Sequence, residues 1–468
     1  MQAVTLDEPL GLSEPGPGDG VWAPERRRLT LGLVLTITLV AFEALAISTV
    51  MPVVADDLGG LGLYGWVFSG FFLGNLLGIV FAGQAADQRG TAAPFLLGLT
   101  LFSVGLLAGG LAPSMGLLVV ARIAQGIGAG AIPAIAYVSV GRSYPASIRP
   151  RVFAVFSSAW VIPGLIGPAA SSAITEAWSW RAVFLALLPF VVLAAVITLP
   201  ALSRTQGPVL DGDGAPLEQD RRGQGVLLTV GVALVLGAAS GPPLLVAVPL
   251  ALVGAPLAVR AFLRLVPSGT LRLVPGIPAA IMVRGILTFA FFGTDAYVSL
   301  SFQEVRNQPT WVAGASLTAC TLAWTAAAWV QERWIHRVGP SRVVGVGFAL
   351  LATSIALMFG VLGALPIPVA IGVWGIGGFA VGLGYSPISV TVLGLAEPGR
   401  EGSASASLQL TDVLGVALGT GVAGAFIALG ESSGWDTRRA LELAFGCTLA
   451  VAVAGIFAAR RLPATLPT

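Results

Sequence analysis

The chain has 468 residues, 56% of them apolar and only 10% charged. A soluble globular chain carries about 25% charged residues, so a set of soluble domains is excluded. The net charge of +2 comes from scattered arginines with no lysine among them, which leaves no nucleic-acid footprint.

Residues 1–30 hold Pro, Gly and acidic residues and end on Arg26, Arg27 and Arg28. They read as a cytosolic tail with a positive stop, since the apolar stretch that follows is too long for a signal peptide. Apolar segments then fall near 31–53, 63–83, 94–112, 116–138, 150–172 and 180–201. A polar linker carries Asp211, Asp213, Glu218 and Asp220. Two short apolar runs near 224–240 and 243–263 flank Gly241-Pro242-Pro243. Six more segments follow near 275–300, 311–330, 342–362, 367–390, 404–428 and 439–459. At about 20 residues per crossing this makes fourteen spans. If the short pair is a hairpin that does not cross, twelve remain.

The organisation expected is an all-α polytopic membrane protein. A tail over 1–30 precedes an N-terminal six-helix bundle over 31–202 and a linker over 203–223. Two additional central transmembrane helices over 224–264 come next, then a C-terminal six-helix bundle over 265–461 and a cytosolic tail over 462–468. With the N-terminus inside, nineteen arginines fall on the cytosolic side, four outside, and Arg122 and Arg284 within spans. This positive-inside bias predicts that both termini are cytosolic. The loops 83–90 and 331–339 sit at matching places in the two blocks, and each places charge and a glycine at a short turn. Duplicated halves point to alternating access.

Several charges lie where lipid is expected. A carboxylate in a span must face the protein interior or a wet cavity, which makes Glu43 in the first span and Asp295 in the ninth candidates for proton coupling. Glu304 near the outer surface is either a gate residue or a coupling residue. Asp412, in the thirteenth span, either lines the cavity or caps a helix. Arg122, in the fourth span, needs a partner, and Glu43 is the candidate in the same block. Arg284 is read as pairing with a helix end or snorkelling to the inner surface. Phe71, Phe72, Phe291, Phe292, Tyr297 and Gln409 are candidates to line a cavity. Trp66, Trp178, Trp180 and Trp311 fit an interfacial belt. Pro163-Gly164 and Gly167-Pro168 are expected to bend the fifth span.

Cys320 and Cys447 lie in apolar runs, and His336 is the only histidine. No metal site, catalytic triad or cofactor is expected. A phosphate-cradling loop ending in lysine is absent, so an ATP-driven pump is unsupported and ion-gradient coupling remains.

The chain resembles a major facilitator superfamily transporter, most of all the fourteen-span drug:proton antiporter branch of bacteria. Gly83, Asp87, Arg89 and Gly90 match the signature between spans two and three, in a copy with fewer basic residues. The resemblance implies that this loop latches the two halves on the cytosolic side. Arg122 with Gln125, Gly126 and Gly128 resembles the fourth-span motif linked to proton transfer. Gly164, Gly167 and Pro168 resemble part of the fifth-span antiporter motif. Pro163 replaces an expected Gly, and Ser171-Ser172 replace a Gly pair. Glu43 to Pro52 resembles the first-span drug-antiporter motif with Glu for the usual Asp.

The expectation is a proton antiporter of the bacterial inner membrane that exports lipophilic compounds, cations among them. It is not an enzyme. Its partners are a small-molecule substrate, protons and the bilayer; nucleic acid is not among them, and a monomer is expected. The alternative is a transporter dedicated to one metabolite such as a sugar, an organic acid or a peptide-like product, which would need converging polar donors.

Overall fold

The computed structural model describes residues 20–145, 148–203, 221–397 and 401–465. Most of the leading tail, the linker core 204–220 and the last three residues lie outside the described residues. The helices are α1 (Arg27–Leu58), α2 (Tyr64–Arg89), α3 (Ala92–Gly110), α4 (Met115–Ser143), α5 (Arg149–Ser158), α6 (Val161–Ala177), α7 (Trp180–Leu185) and α8 (Leu188–Leu202). They continue as α9 (Arg221–Ala239), α10 (Leu244–Leu265), α11 (Ile277–Asp295), α12 (Val298–Leu300), α13 (Thr310–Val338), α14 (Pro340–Leu362), α15 (Ile367–Leu395), α16 (Glu401–Ser433) and α17 (Thr437–Ala458).

Among the described residues, thirteen helical segments are long and apolar enough to cross a membrane. The remaining crossing, the fifth, is α5 and α6 end to end. Its break falls at Ala159-Trp160, just before Pro163 rather than at the two motif pairs. Pro163 has no N–H to donate to the carbonyl of Ala159, and its ring crowds that carbonyl. The ninth crossing is also interrupted. α11 ends at Asp295, and a π-helical turn over Ser301–Val305 completes the span.

The loops named as an internal repeat share one conformation. Gly90 ends α2 with φ 78° and Gly339 ends α13 with φ 86°, a region that favours glycine. α2 packs on α4 as α13 packs on α15, and α3 on α4 as α14 on α15. Close approach is licensed by small residues: a Cβ on Gly126 would lie 2.0 Å from the Phe71 carbonyl oxygen, and one on Gly130 2.1 Å from that of Asn75.

The even number of crossings puts both described ends of the chain at one end of the bundle, called here the terminal side; the other is the distal side. The halves meet toward the distal side, through α2 against α16, α6 against α13 and α1 against α12. Tyr64 Oη donates to Ala296 O at 3.2 Å, Gln303 Nε2 donates to Thr49 O at 3.1 Å, and the Gly62 N–H donates to Glu431. Gly65 and Gly424 face each other so closely that a Cβ on either would lie 2.5 Å from the other's Cα. The additional helices, central in sequence, are peripheral in space: α10 packs mainly on α9 and is otherwise exposed.

Candidate functional site

In the N-terminal half the site is built from α1, α2 and α4. Glu43 lies mid-way along α1, and Arg122 lies two turns into α4. Both are buried, at 3% and 1% side-chain exposure, and they form an ion pair. Arg122 Nη1 also donates to Gln125 Oε1 at 2.7 Å, Nε donates to Val67 O of α2 at 3.2 Å, and the guanidinium lies 4.2 Å from the Phe71 ring centroid. One guanidinium therefore ties three helices together. Glu43 Oε2 is buried with no hydrogen-bond partner, next to a narrow gap bounded by Ala46, Ile47, Val183 and Phe184.

The C-terminal half holds a second charged cluster. Arg284 of α11 neither snorkels nor reaches a helix end. It is 3% exposed, with Nε 3.7 Å from Asp412 Oδ1 of α16. It donates to Ser389 of α15, and its guanidinium stacks on Tyr385, 3.4 Å from the ring centroid. Tyr385 Oη donates to Asp412 Oδ2 at 2.8 Å. Tyr137 of α4 approaches Asp412 from the opposite half. The Asp412 side chain is 20% exposed, so this cluster is wetter than the Glu43 pair. The reason for the inward aim is electrostatic: a carboxylate within reach inside the bundle competes with the membrane surface for the guanidinium.

Asp295 stands apart from both clusters. Its Oδ1 accepts from Trp374 Nε1 at 2.7 Å, and among the described residues it has no ion pair. Trp374 stacks on Phe291 at 5.1 Å. Glu304 is exposed in the π-turn and neighbours Asp56 of α1 on the distal surface.

The aromatic candidates are packed in this conformation. Phe71, Phe291 and Tyr297 are buried, and Phe72 and Phe292 pack against the same core. Tyr297 Oη donates to Thr420 O at 2.8 Å, and its ring lies 5.3 Å from that of Tyr64. Gln409 is half-buried on α16. Trp180 is buried rather than interfacial, and its indole N–H donates to Asp57 at 3.0 Å beside the Arg181–Asp57 ion pair. The fifth-span residues face the seam between the halves. A Cβ on Gly164 would lie 2.1 Å from Thr321 Cγ2 of α13, Pro168 O lies against Gly314 of α13, and Gly167 faces Leu45 and Phe42 of α1.

The loop 83–90 keeps Gly83 open and Gly90 at positive φ, with Arg89 exposed; the side chain of Asp87 lies outside the described residues. Arg142 Nη1 of α4 donates to Ala86 O at 3.3 Å, and Arg222 of α9 donates to Gln88 at 3.2 Å. Among the described residues, these hydrogen bonds run to the same half and to α9.

The sequence pattern of the Major Facilitator Superfamily matches residues 33–420. The chain belongs to the Major Facilitator Superfamily. It is a multi-pass membrane transporter and not an enzyme. A probable multidrug-efflux transporter of Mycobacterium tuberculosis is 26% identical over 97% of this chain and 100% of that protein. A drug efflux pump, JefA, of the same organism is 26% identical over 86% of this chain and 81% of its own. Among solved structures, a POT family transporter in complex with 5-aminolevulinic acid superposes with a TM-score of 0.68 at 16% identity, covering 94% of this chain and 97% of that one. The human organic anion transporter MFSD10 superposes at 0.60, with 17% identity over 93% and 99%. At these identities the structural likeness establishes the major facilitator fold alone. Glu43–Arg122 and Arg284–Asp412 are then one buried charge pair in each half of a major facilitator protein.

Proposed function

We propose that this protein exports lipophilic, cationic compounds from a bacterial cytosol across the inner membrane in exchange for protons. The observation that carries this reading is the sealed Glu43–Arg122 pair with one carboxylate oxygen unpartnered. A proton arriving at Oε2 breaks no existing hydrogen bond. It removes the charge that holds Arg122, and so weakens the tie between α1, α2 and α4. Because α1 also packs across the halves on α12, loosening that tie biases the two-state equilibrium on which alternating access depends. A cation that competes for the same negative charge couples substrate flow to proton flow without a chemical step. The drug-efflux relatives favour this substrate class, and the arginine distribution supports a cytosolic terminal side. Asp412, with Arg284, is the second coupling candidate. Asp295, which lacks a cation, is the third.

A second reading has its own observation. Arg284, Asp412, Tyr385 and Ser389 set both charge signs and two hydroxyls in one cluster, which suits a single zwitterionic metabolite. The experiment that separates the readings is substrate-induced proton release from purified protein, with ethidium as the cationic probe and a panel of amino acids and dipeptides as zwitterions. Release with ethidium that disappears in Glu43→Gln supports antiport of cations. Release with zwitterions alone, abolished by Arg284→Gln, favours the metabolite reading.

A further inference from the structure

The hairpin of α9 and α10 is fastened unevenly. Along α2 it is anchored at both ends: Trp66 Nε1 donates to Ser240 Oγ at 3.0 Å on the distal side, and Arg222 donates to Gln88 on the terminal side. Gly225 sits against Val80 between them. Toward the C-terminal bundle the hairpin touches α16 near its two ends, where Ser407 Oγ donates to Leu265 O at 3.3 Å and Leu236 lies against Gly421, and stands off between them. A groove of about 410 Å³ separates it from α11, α16 and α17, with walls that include Val232, Phe262, Met282, Phe289 and Leu414. Thr411 is the one wall residue with a polar side chain, and its hydroxyl already donates to Ser407 O at 2.9 Å. Water needs two or more polar partners to occupy such a space. An empty volume of this size would forfeit dispersion contacts along every wall. The groove is reached from the lipid-facing side, where Ala255 and Val259 of α10 are exposed.

The groove runs through the terminal-side half of the bundle, and its end is marked by Leu271, in the turn after α10. The neighbouring Arg272, and Arg264 at the end of α10, are exposed, and neither forms an ion pair among the described residues. No acidic residue occurs between Asp220 and Asp295, a stretch that carries six arginines. Hydrocarbon walls at membrane depth below unpaired guanidiniums at the surface match the two ends of an anionic phospholipid.

We infer that this groove is a binding site for an anionic phospholipid of the terminal-side leaflet. One acyl chain fills the space between the hairpin and the C-terminal bundle, and the phosphate rests on Arg272 and Arg264. The chain fills the space that the end contacts with α16 leave open between hairpin and bundle. This inference does not depend on the substrate or on proton coupling.

The test is native mass spectrometry of the full chain after exchange into mixed micelles of phosphatidylglycerol and phosphatidylcholine at equal concentration. Wild type is expected to retain phosphatidylglycerol in preference. Arg264→Gln with Arg272→Gln is expected to keep a bound lipid but to lose the preference, by about fivefold per arginine. Ala255→Trp fills the groove from the exposed helix and is expected to carry no retained lipid. Elution volume and thermal midpoint report whether each variant is folded. The inference is overturned if wild type shows no retained lipid, or a detergent molecule only. It is also overturned if the two lipids are retained equally, or if ethidium displaces the lipid from wild type and the arginine variant alike, which would assign the groove to substrate.

Discussion

Arg122 reaches Glu43 across 79 positions of chain and holds it where neither side chain meets water. A buried pair is costly to break from one side, because the remaining charge keeps its desolvation penalty and loses its partner. Arg122→Ala is therefore expected to destabilise the detergent-solubilised protein by about 3–5 kcal/mol. Arg122→Ala combined with Glu43→Gln is expected to recover part of that loss. Unfolding midpoints for the two singles and the double close the cycle; strict additivity would mean that the two side chains do not interact.

Glu43→Gln keeps the shape of the side chain and removes its charge. The expected outcome is a transporter that still exchanges ethidium down its gradient in liposomes but no longer releases protons when ethidium binds. Asp295→Asn is expected to keep both activities, since Asp295 meets an indole rather than a cation. Full proton release from the Glu43 variant would move the search to Asp412.

Asp412 is held by a phenol as well as by a guanidinium. Tyr385→Phe removes the 2.8 Å hydrogen bond to Asp412 Oδ2 while keeping the ring under Arg284. A hydrogen bond to a charged group is worth about 1.5–3 kcal/mol, so a loss in that range is expected on chemical denaturation. Asp412→Ala is expected to cost more, because Arg284 is then buried without its carboxylate. Equal losses in the two variants would argue against the ion pair.

The seam between α6 and α13 offers a conformational test. Gly164→Val places methyl groups where Thr321 already stands. Overpacking of this kind costs about 1–3 kcal/mol, which corresponds to roughly a 5–150-fold shift between two states. Spin labels on the distal ends of α2 and α16 should report a larger open population in Gly164→Val, reversed by adding Thr321→Gly. Unchanged distances would show that this seam does not control closure.

The crossing number can be read from one position. Pro242→Cys, in the turn between α9 and α10, is expected to react with an impermeant maleimide from outside intact cells only. Reaction from the cytosolic side would reduce the count to twelve.

Much of this was legible in the sequence, and the parts that were not share a cause. Length and apolarity locate crossings, and the ends of α1 to α4 lie near the expected ones. The pairing of Glu43 with Arg122 was legible because each is a lone charge in its span. What sequence does not carry is the rotation of each helix. In lipid both faces of a span are apolar, so the periodicity that marks an inward face in a soluble helix is weak. For that reason the sequence reads Arg284 as pairing with a helix end or snorkelling, whereas it meets Asp412, and it does not tell that the candidate lining rings Phe71, Phe291 and Tyr297 are packed in this conformation. The break in the fifth span was signalled by Pro163, although its place four residues earlier follows from the carbonyl that Pro163 leaves without a donor.

The contact of Gly65 with Gly424 has a consequence for which residues the distal seam can accept. At its tightest point the distal seam is main chain against main chain, with the Tyr297 hydroxyl packed against both glycines. A side chain on either glycine would have no room, so any larger residue at 65 or 424 must wedge the two halves apart at that point.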